Sequence, residues 1–343
     1  MFTRKKHRIV CIGSTSKDIF LPTDEGEVIE TPEDITSKRK IAFEVGSKYR
    51  VADRFEGVGG VAANIGQALA LLGEDVAVMS RIGRDDIGDW ILDEFRARGV
   101  ATDLVQIDTE TASDLSAIVV LEQEGGERVI FHNRDSNERL SIEGDRLRGA
   151  EWVFASSLNG DWEAKIRDIY ASARRHGARI ALNPGQHNLR GNPKLILECV
   201  AESDLLLLNK DEAIELILAS GRETDHAKLD DERFLLSALS EAGADMIGLT
   251  DGLRGAWAFD GERTYHADAA AVARPKDTTG AGDGFAAAFF AAIACFGHDL
   301  PDALRWGIVE SASVVTEYGT TAGHLPLPEL ESRAINIEAK MLA

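Results

Sequence analysis

The stretch Asp277-Thr278-Thr279-Gly280-Ala281-Gly282-Asp283-Gly284-Phe285, which runs into an alanine-rich apolar segment, is the most informative part of this 343-residue chain. Its small residues let a backbone turn come close to a ligand, because no side chain stands between them. A helix that starts at Ala281 leaves backbone N–H groups unpaired in its first turn. Those donors and the helix dipole together favour an anion, and a phosphate suits the position. Asp283 falls in the same turn, where the field keeps a carboxylate ionised and able to take a proton from an alcohol attacking phosphorus. A plainer reading is a helix start with a capping acid. The full string favours the first reading more than Gly-x-Gly-Asp alone would.

Upstream of this string, short apolar runs alternate with longer amphipathic segments. Arg8–Ile12, Val76–Ser80, Trp152–Ala155, Arg179–Leu182, Asp204–Leu208 and Met246–Thr250 read as buried strands. Between them Ala62–Leu72, Ile87–Arg98, Trp162–His176, Asp211–Ala219 and Asp231–Ala242 read as helices, and Ala281–Phe296 and Asp302–Tyr318 follow near the end. Such alternation predicts an α/β fold, a mostly parallel sheet covered by helices on both faces. Two regions break the rhythm. Ile19–Gly57 is long and polar before turning strand-like, and Ala117–Leu121 and Arg128–Phe131 flank a polar turn at Glu124-Gly125-Gly126, a hairpin signal. The expected division is an α/β catalytic domain from 1–18, 58–110 and 138–343, with a discontinuous β lid from 19–57 and 111–137. A lid over a cleft would keep water away from phosphoryl transfer.

The 277–285 string resembles the C-terminal signature of the ribokinase-like, or PfkB-type, carbohydrate kinases. That resemblance implies a three-layer fold, Asp283 as the catalytic base, and Gly280, Ala281 and Gly282 as an anion hole. A second block, Gly59-Gly60-Val61-Ala62-Ala63-Asn64 with Gly83-Arg84-Asp85-Asp86-Ile87-Gly88 beyond it, resembles the family's N-terminal signature. In that signature Gly59, Gly60 and Asn64 approach the sugar. Taken alone, Gly57-Val58-Gly59-Gly60-Val61-Ala62 could pass for a dinucleotide fingerprint, but it lies about forty residues past the first strand instead of directly after it. Asp18, in Gly13-Ser14-Thr15-Ser16-Lys17-Asp18, takes the place of the family's sugar-binding aspartate, with Ser16 where Asn is usual. As a lone aspartate it reads as a turn former.

Asn209-Lys210-Asp211-Glu212 resembles the N-x-x-E motif, whose carboxylate Glu212 would help organise Mg2+ and its waters. The same four residues also read as a capped helix start. Thr250-Asp251-Gly252-Leu253-Arg254-Gly255 resembles the nucleotide loop T-x-G-x-x-G, placing Asn209, Thr250, Gly252 and Gly255 near ATP; its other reading is a hairpin turn before Ala256–Phe259. Asp277 and Thr279, with the loop near Gly319, imply a monovalent cation such as K+. The motifs keep the family's order from Gly13 to about Pro326. The implied activity is ATP-dependent phosphorylation of an alcohol group on a sugar or sugar derivative. A nucleoside kinase of the same fold and a non-catalytic sugar- or nucleotide-binding regulator are the alternatives. Arg134 could reach a sugar acid or a phosphorylated sugar, or stand at a solvated hairpin end.

Composition narrows the partners. A formal charge of −20 argues against nucleic acid as the main partner, while local backbone amides can still hold a nucleotide's phosphates. There is no Walker A loop, no protein-kinase signature and no zinc spacing. Cys11, Cys199 and Cys295 are scattered and form no disulfide framework, which suggests a reducing compartment. No apolar run approaches the roughly 20 residues a membrane span requires, so a cytoplasmic enzyme is expected. An apolar outer face on the lid would invite a homodimer.

Overall fold

The computed structural model describes residues 6–31, 39–51, 53–121 and 127–342, so the turn Glu124-Gly125-Gly126 lies outside the described residues. Nine strands form the main sheet, in the order Ala339–Leu342, Thr264–Ala267, Ala256–Phe259, Ile247–Thr250, Leu205–Asn209, Arg179–Leu182, Trp152–Ala155, Arg8–Ile12 and Asp75–Met79. The six from Ile247–Thr250 to Asp75–Met79 are parallel, and the other three add an antiparallel edge. All six strands expected from the sequence lie in the parallel part. Their apolar runs, of which the fully buried Leu205–Leu208 is typical, are what a sheet covered on both faces requires.

Alternation along the strands divides the interior in two. Ile9 and Cys11 join a core with Phe285, Phe289 and Phe290. Val10 and Ile12 face the opposite core, with Val153, Ile166 and Leu206. Local signals set the helix ends. Asp85 accepts the Gly88 N–H at 2.8 Å to start Asp86–Ala97, and Gly177, left-handed at φ 70°, ends Trp162–His176. Two expectations need correction. The helix from Ala281 is regular only to Ala291 and closes in a π-helical turn, Ala292–Phe296. The next helix runs Leu300–Val314, not to Tyr318, because the chain must turn for the Gly319 N–H to reach Asp277 at 3.2 Å.

A separate four-stranded sheet has the order Glu127–His132, Leu115–Leu121, Ser16–Thr23 and Phe55–Gly59, and Glu27–Glu30 pairs with Arg39–Ala42 beside it. Register places Asp18, Phe20, Ser116, Ile118, Arg128 and His132 on one face of this small sheet. Phe20, Ile118 and Val120 are buried there against Phe55 and Tyr318, and the last two rings stack at 4.4 Å. Tyr318 belongs to the main body, so this stack anchors the small sheet over the C-terminal ends of the parallel strands. Among the described residues no helix is long and apolar enough to cross a membrane.

Candidate active site

Gly280 begins the helix Ala281–Ala291 with φ 83°, and a Cβ at that position would stand 2.9 Å from Thr320 Cα. Only glycine meets both conditions. The first-turn amides of Gly282 and Asp283 therefore lack helical partners at an open helix end, while that of Ala281 reaches back to the Thr278 carbonyl at 3.4 Å. Just before them, Asp277 is fully buried, and Oδ1 accepts from the Thr279 amide at 2.9 Å and hydroxyl at 2.6 Å. With Gly319 N–H on Oδ2, the carboxylate clamps the loop to the chain after the last long helix.

Asp283 is only partly exposed. Burial pushes its carboxyl above the ordinary value, against the pull of the Asn64 amide and of the charges on His324 and Arg128. Asn64 Nδ2 donates to Asp283 Oδ2 at 2.7 Å. Asn64 Oδ1 lies 2.9 Å from the Thr320 hydroxyl, which is also 3.0 Å from the Val58 carbonyl. The N-terminal glycine block and the C-terminal string thus meet at one carboxylate.

Asp18 lies within the strand Ser16–Thr23, not in a turn. Burial raises its pKa, tempered by the hydroxyls of Ser16 and Ser116 and the charge of Arg134. Ser16 Oγ donates to Asp18 Oδ1 at 2.8 Å, so the residue standing where Asn is usual still holds the carboxylate. Gly59 lies beside it, where a Cβ would sit 1.9 Å from Asp18 Oδ2. Gly60 has φ 94°, and its Cβ would meet the Ser14 carbonyl at 2.4 Å.

A cleft of about 150 Å³ is lined by Asn183, Asn209, Glu212, Thr250, Gly282 and Asp283, among others. Asn209 and Glu212 form a complete capping box, with the Asn209 side chain on the Glu212 N–H and Glu212 Oε2 on the Asn209 N–H at 3.0 Å. Burial pushes the Glu212 carboxyl up to about 7, opposed by that N–H and assisted by Asp283, Glu215 and Asp211. The lining does not include Gly252 or Gly255. Gly252–Arg254 is a short 3-10 turn in the hairpin between Ile247–Thr250 and Ala256–Phe259. Gly255 owes its identity to packing, since a Cβ there would stand 2.1 Å from the Ala267 carbonyl.

The raised Glu212 pKa has a signed consequence. Between the ordinary value of 4.5 and about 7 the folded chain holds a proton that the unfolded chain has lost, so raising pH through this window costs stability. Wild type should therefore lose melting temperature relative to Glu212→Gln as pH rises from about 5 to about 7. Parallel melting curves would sink the assignment.

Among the described residues no group of three or more His, Cys, Asp and Glu gathers as a metal site. Magnesium needs few protein ligands, because it keeps several waters. Glu212, a carboxylate lining the cleft, suits it as a donor through water. Two contacts were not legible in the sequence. Thr320 aligns Asn64, and Arg128 Nη1 donates to Thr278 Oγ1 at 2.5 Å, which brings the small sheet onto the glycine string. Neither carries a local signal, as each depends on segments far apart in sequence.

The pattern of the pfkB family carbohydrate kinases matches residues 6–327. A ribokinase from Staphylococcus aureus (strain COL) is 26% identical over 335 residues, covering 94% of this chain and 98% of that protein. A deoxyribokinase from Salmonella typhi is 27% identical over 330 residues, with 92% and 95% covered. The crystal structure of ribokinase from Cryptococcus neoformans var. grubii serotype A in complex with ADP superposes with a TM-score of 0.75 at 21% identity, covering 96% of this chain and 100% of that one. With this fold, and with the glycine string and its aspartate at the mouth of the cleft, the chain belongs to the pfkB family of carbohydrate kinases, phosphotransferases with an alcohol group as acceptor.

Proposed function

We propose that the protein transfers the γ-phosphoryl group of ATP to a hydroxyl of a sugar or sugar derivative, with Asp283 as general base and the small sheet as a lid. The observation that carries this reading is the Asn64–Asp283 hydrogen bond of 2.7 Å, which joins the acceptor side, built around Asp18 and Gly59, to the nucleotide side, lined by Asn209 and Thr250. Asp18 accepts from two sugar hydroxyls and orients the ring. Asp283 takes the proton of the attacking hydroxyl as its oxygen bonds to the γ-phosphorus, and the bond to the β–γ bridging oxygen breaks to release ADP. The amides of Ala281, Gly282 and Asp283 stabilise the charge on the transferring group, where most of the rate arises in a loose transition state. Glu212 would hold Mg2+ through water, and the metal would neutralise phosphate charge. The clamp of Asp277, Thr279 and Gly319 supports a K+ site beside the same loop. The buried thiols Cys11, Cys199 and Cys295 suit the reducing cytoplasm.

The test is ATP consumption with magnesium and potassium across sugars, sugar acids, sugar phosphates and nucleosides. Turnover with a sugar or sugar derivative supports the reading; turnover confined to nucleosides replaces it with the nucleoside-kinase alternative. ATP binding with no turnover on any acceptor favours the regulator.

The outer face of the lid supports a homodimer. An apolar hollow of about 310 Å³ there is lined by Leu21, Phe43, Tyr49, Val51, Val119 and Phe131, and Phe131 is 60% exposed. A second copy placing its own lid on this face would bury those rings. Phe131→Asp should shift the protein from dimer to monomer in light scattering; a monomeric wild type overturns the pairing.

A further inference from the structure

We propose that the acceptor sugar carries its own anionic group, a carboxylate or a phosphate, and that Arg134 captures it. The proposal rests on the sugar-kinase reading and names the substrate class within it. Across the inner face of the small sheet, Asp18 pairs with Ser116 and Ser116 pairs with His132, so the three stand in a row. Arg134 lies two residues beyond His132, and its Nη1 and Nη2 each reach the Ser116 hydroxyl at 3.4 Å, while Nη1 donates to the Asn133 carbonyl at 2.8 Å. The guanidinium is thus one hydroxyl away from the carboxylate that orients the sugar.

The contacts it lacks define its partner. Among the described residues no carboxylate pairs with Arg134. Asp114, the other nearby acid, is committed to the short helix after Arg134, accepting from the Ser136 amide and hydroxyl at 2.9 Å each and from the Asn137 amide and side chain. Burial opposes the charge on Arg134, and Asp18 and Asp114 only partly offset that from a distance. On the nucleotide side the pattern is different, because the buried Lys210 is paired with Asp230 at 2.6 Å and Glu232 at 2.7 Å. A chain with 58 acids has an abundance of carboxylates, yet among the described residues none pairs with this cation over the acceptor pocket. A neutral sugar under a closed lid would desolvate the guanidinium and return only bonds to uncharged oxygens. An anionic oxygen pair returns two charge-assisted bonds in the fork geometry Arg provides. The same cation gives an acidic sugar an attractive point near Asp18, beside a cleft lined by Asp283 and Glu212.

The experiment compares kcat/KM for each neutral sugar with that of its monophosphate and of its sugar acid, in wild type, Arg134→Gln and Arg134→Lys. Wild type should favour an anionic member by roughly 100-fold, since loss of a desolvated charged partner costs that much or more. Arg134→Gln should reduce the ratio to within about tenfold, mainly through KM, and Arg134→Lys should fall between them. The preferred arm tells phosphate from carboxylate. A wild-type preference for neutral sugars, or a ratio that Arg134→Gln leaves unchanged, overturns the proposal while the kinase reading stands. If ATP is not consumed with any acceptor, the kinase reading fails, and binding to Asp283→Asn by calorimetry decides the anion question. Anionic members binding more tightly than neutral ones supports it; equal binding, or none, overturns it.

Discussion

Asp283→Asn is expected to lower turnover by about 10³-fold, the middle of the range a positioned general base supplies, and to leave nucleotide affinity within a few-fold of wild type. The substitution keeps the shape, and the new amide oxygen can still accept from Asn64, which donates to Asp283 at 2.7 Å. It removes the proposed proton acceptor and one ionisable acid from the cleft. Asp283 is among the charges that raise the Glu212 carboxyl, so its loss makes Glu212 easier to ionise and nucleotide–magnesium binding no weaker. Steady-state kcat and an ADP titration measure the two effects separately. Nucleotide affinity that collapsed along with turnover would show that Asp283 holds the nucleotide and is not the base.

Gly59→Ala should be almost as damaging, on the acceptor side. The added methyl would stand 1.9 Å from Asp18 Oδ2 and 2.4 Å from Oδ1, an overlap that only displacement of the carboxylate relieves. A misplacement of about 1 Å at a positioning group costs on the order of 10²-fold, so kcat/KM for the sugar should fall by at least that much. Nucleotide affinity and melting temperature should stay near wild type, because the atom displaced is the end of a side chain. Gly60→Ala is a useful contrast. Its methyl meets Ser14 backbone at 2.4 Å from a positive φ, and lost stability should accompany lost activity. A Gly59→Ala enzyme with an unchanged sugar KM would remove Asp18 from the acceptor site.

The parallel half of the sheet could be read from the sequence because each strand is a short, mostly apolar run between amphipathic helices, as Trp152–Ala155 and Arg179–Leu182 are. The antiparallel edge could not. Thr264–Ala267 and Ala339–Leu342 are four residues long and mostly half-exposed, so neither period nor hydrophobicity marks them. Helix ends were misjudged where tertiary contact overrides periodicity. The pattern runs on past Val314, but the chain turns there so that Gly319 can reach Asp277. Within the site, sequence picks out residues that need a special backbone, such as Gly280, or sit in a recurring string. It is silent on pairings such as Asn64 with Asp283 or Arg128 with Thr278, which appear only once the sheet is wound. It also cannot rank Arg134 as ligand against Arg134 as solvated charge, because that depends on where Asp114 is committed.

Those pairings have a consequence for the life of the protein before it is finished. Asn64 and Asp283 are 219 residues apart, Asn64 and Thr320 are 256 apart, and Arg128 and Thr278 are 150 apart. Contacts of such long sequence separation form late, after the local helices and strands. A C-terminal fragment can therefore hold the glycine string without Asn64, and a nascent chain holds Asn64 and Asp283 before Thr320 arrives to align the amide. The aspartate and its partners come into register only in a molecule whose two ends have already met.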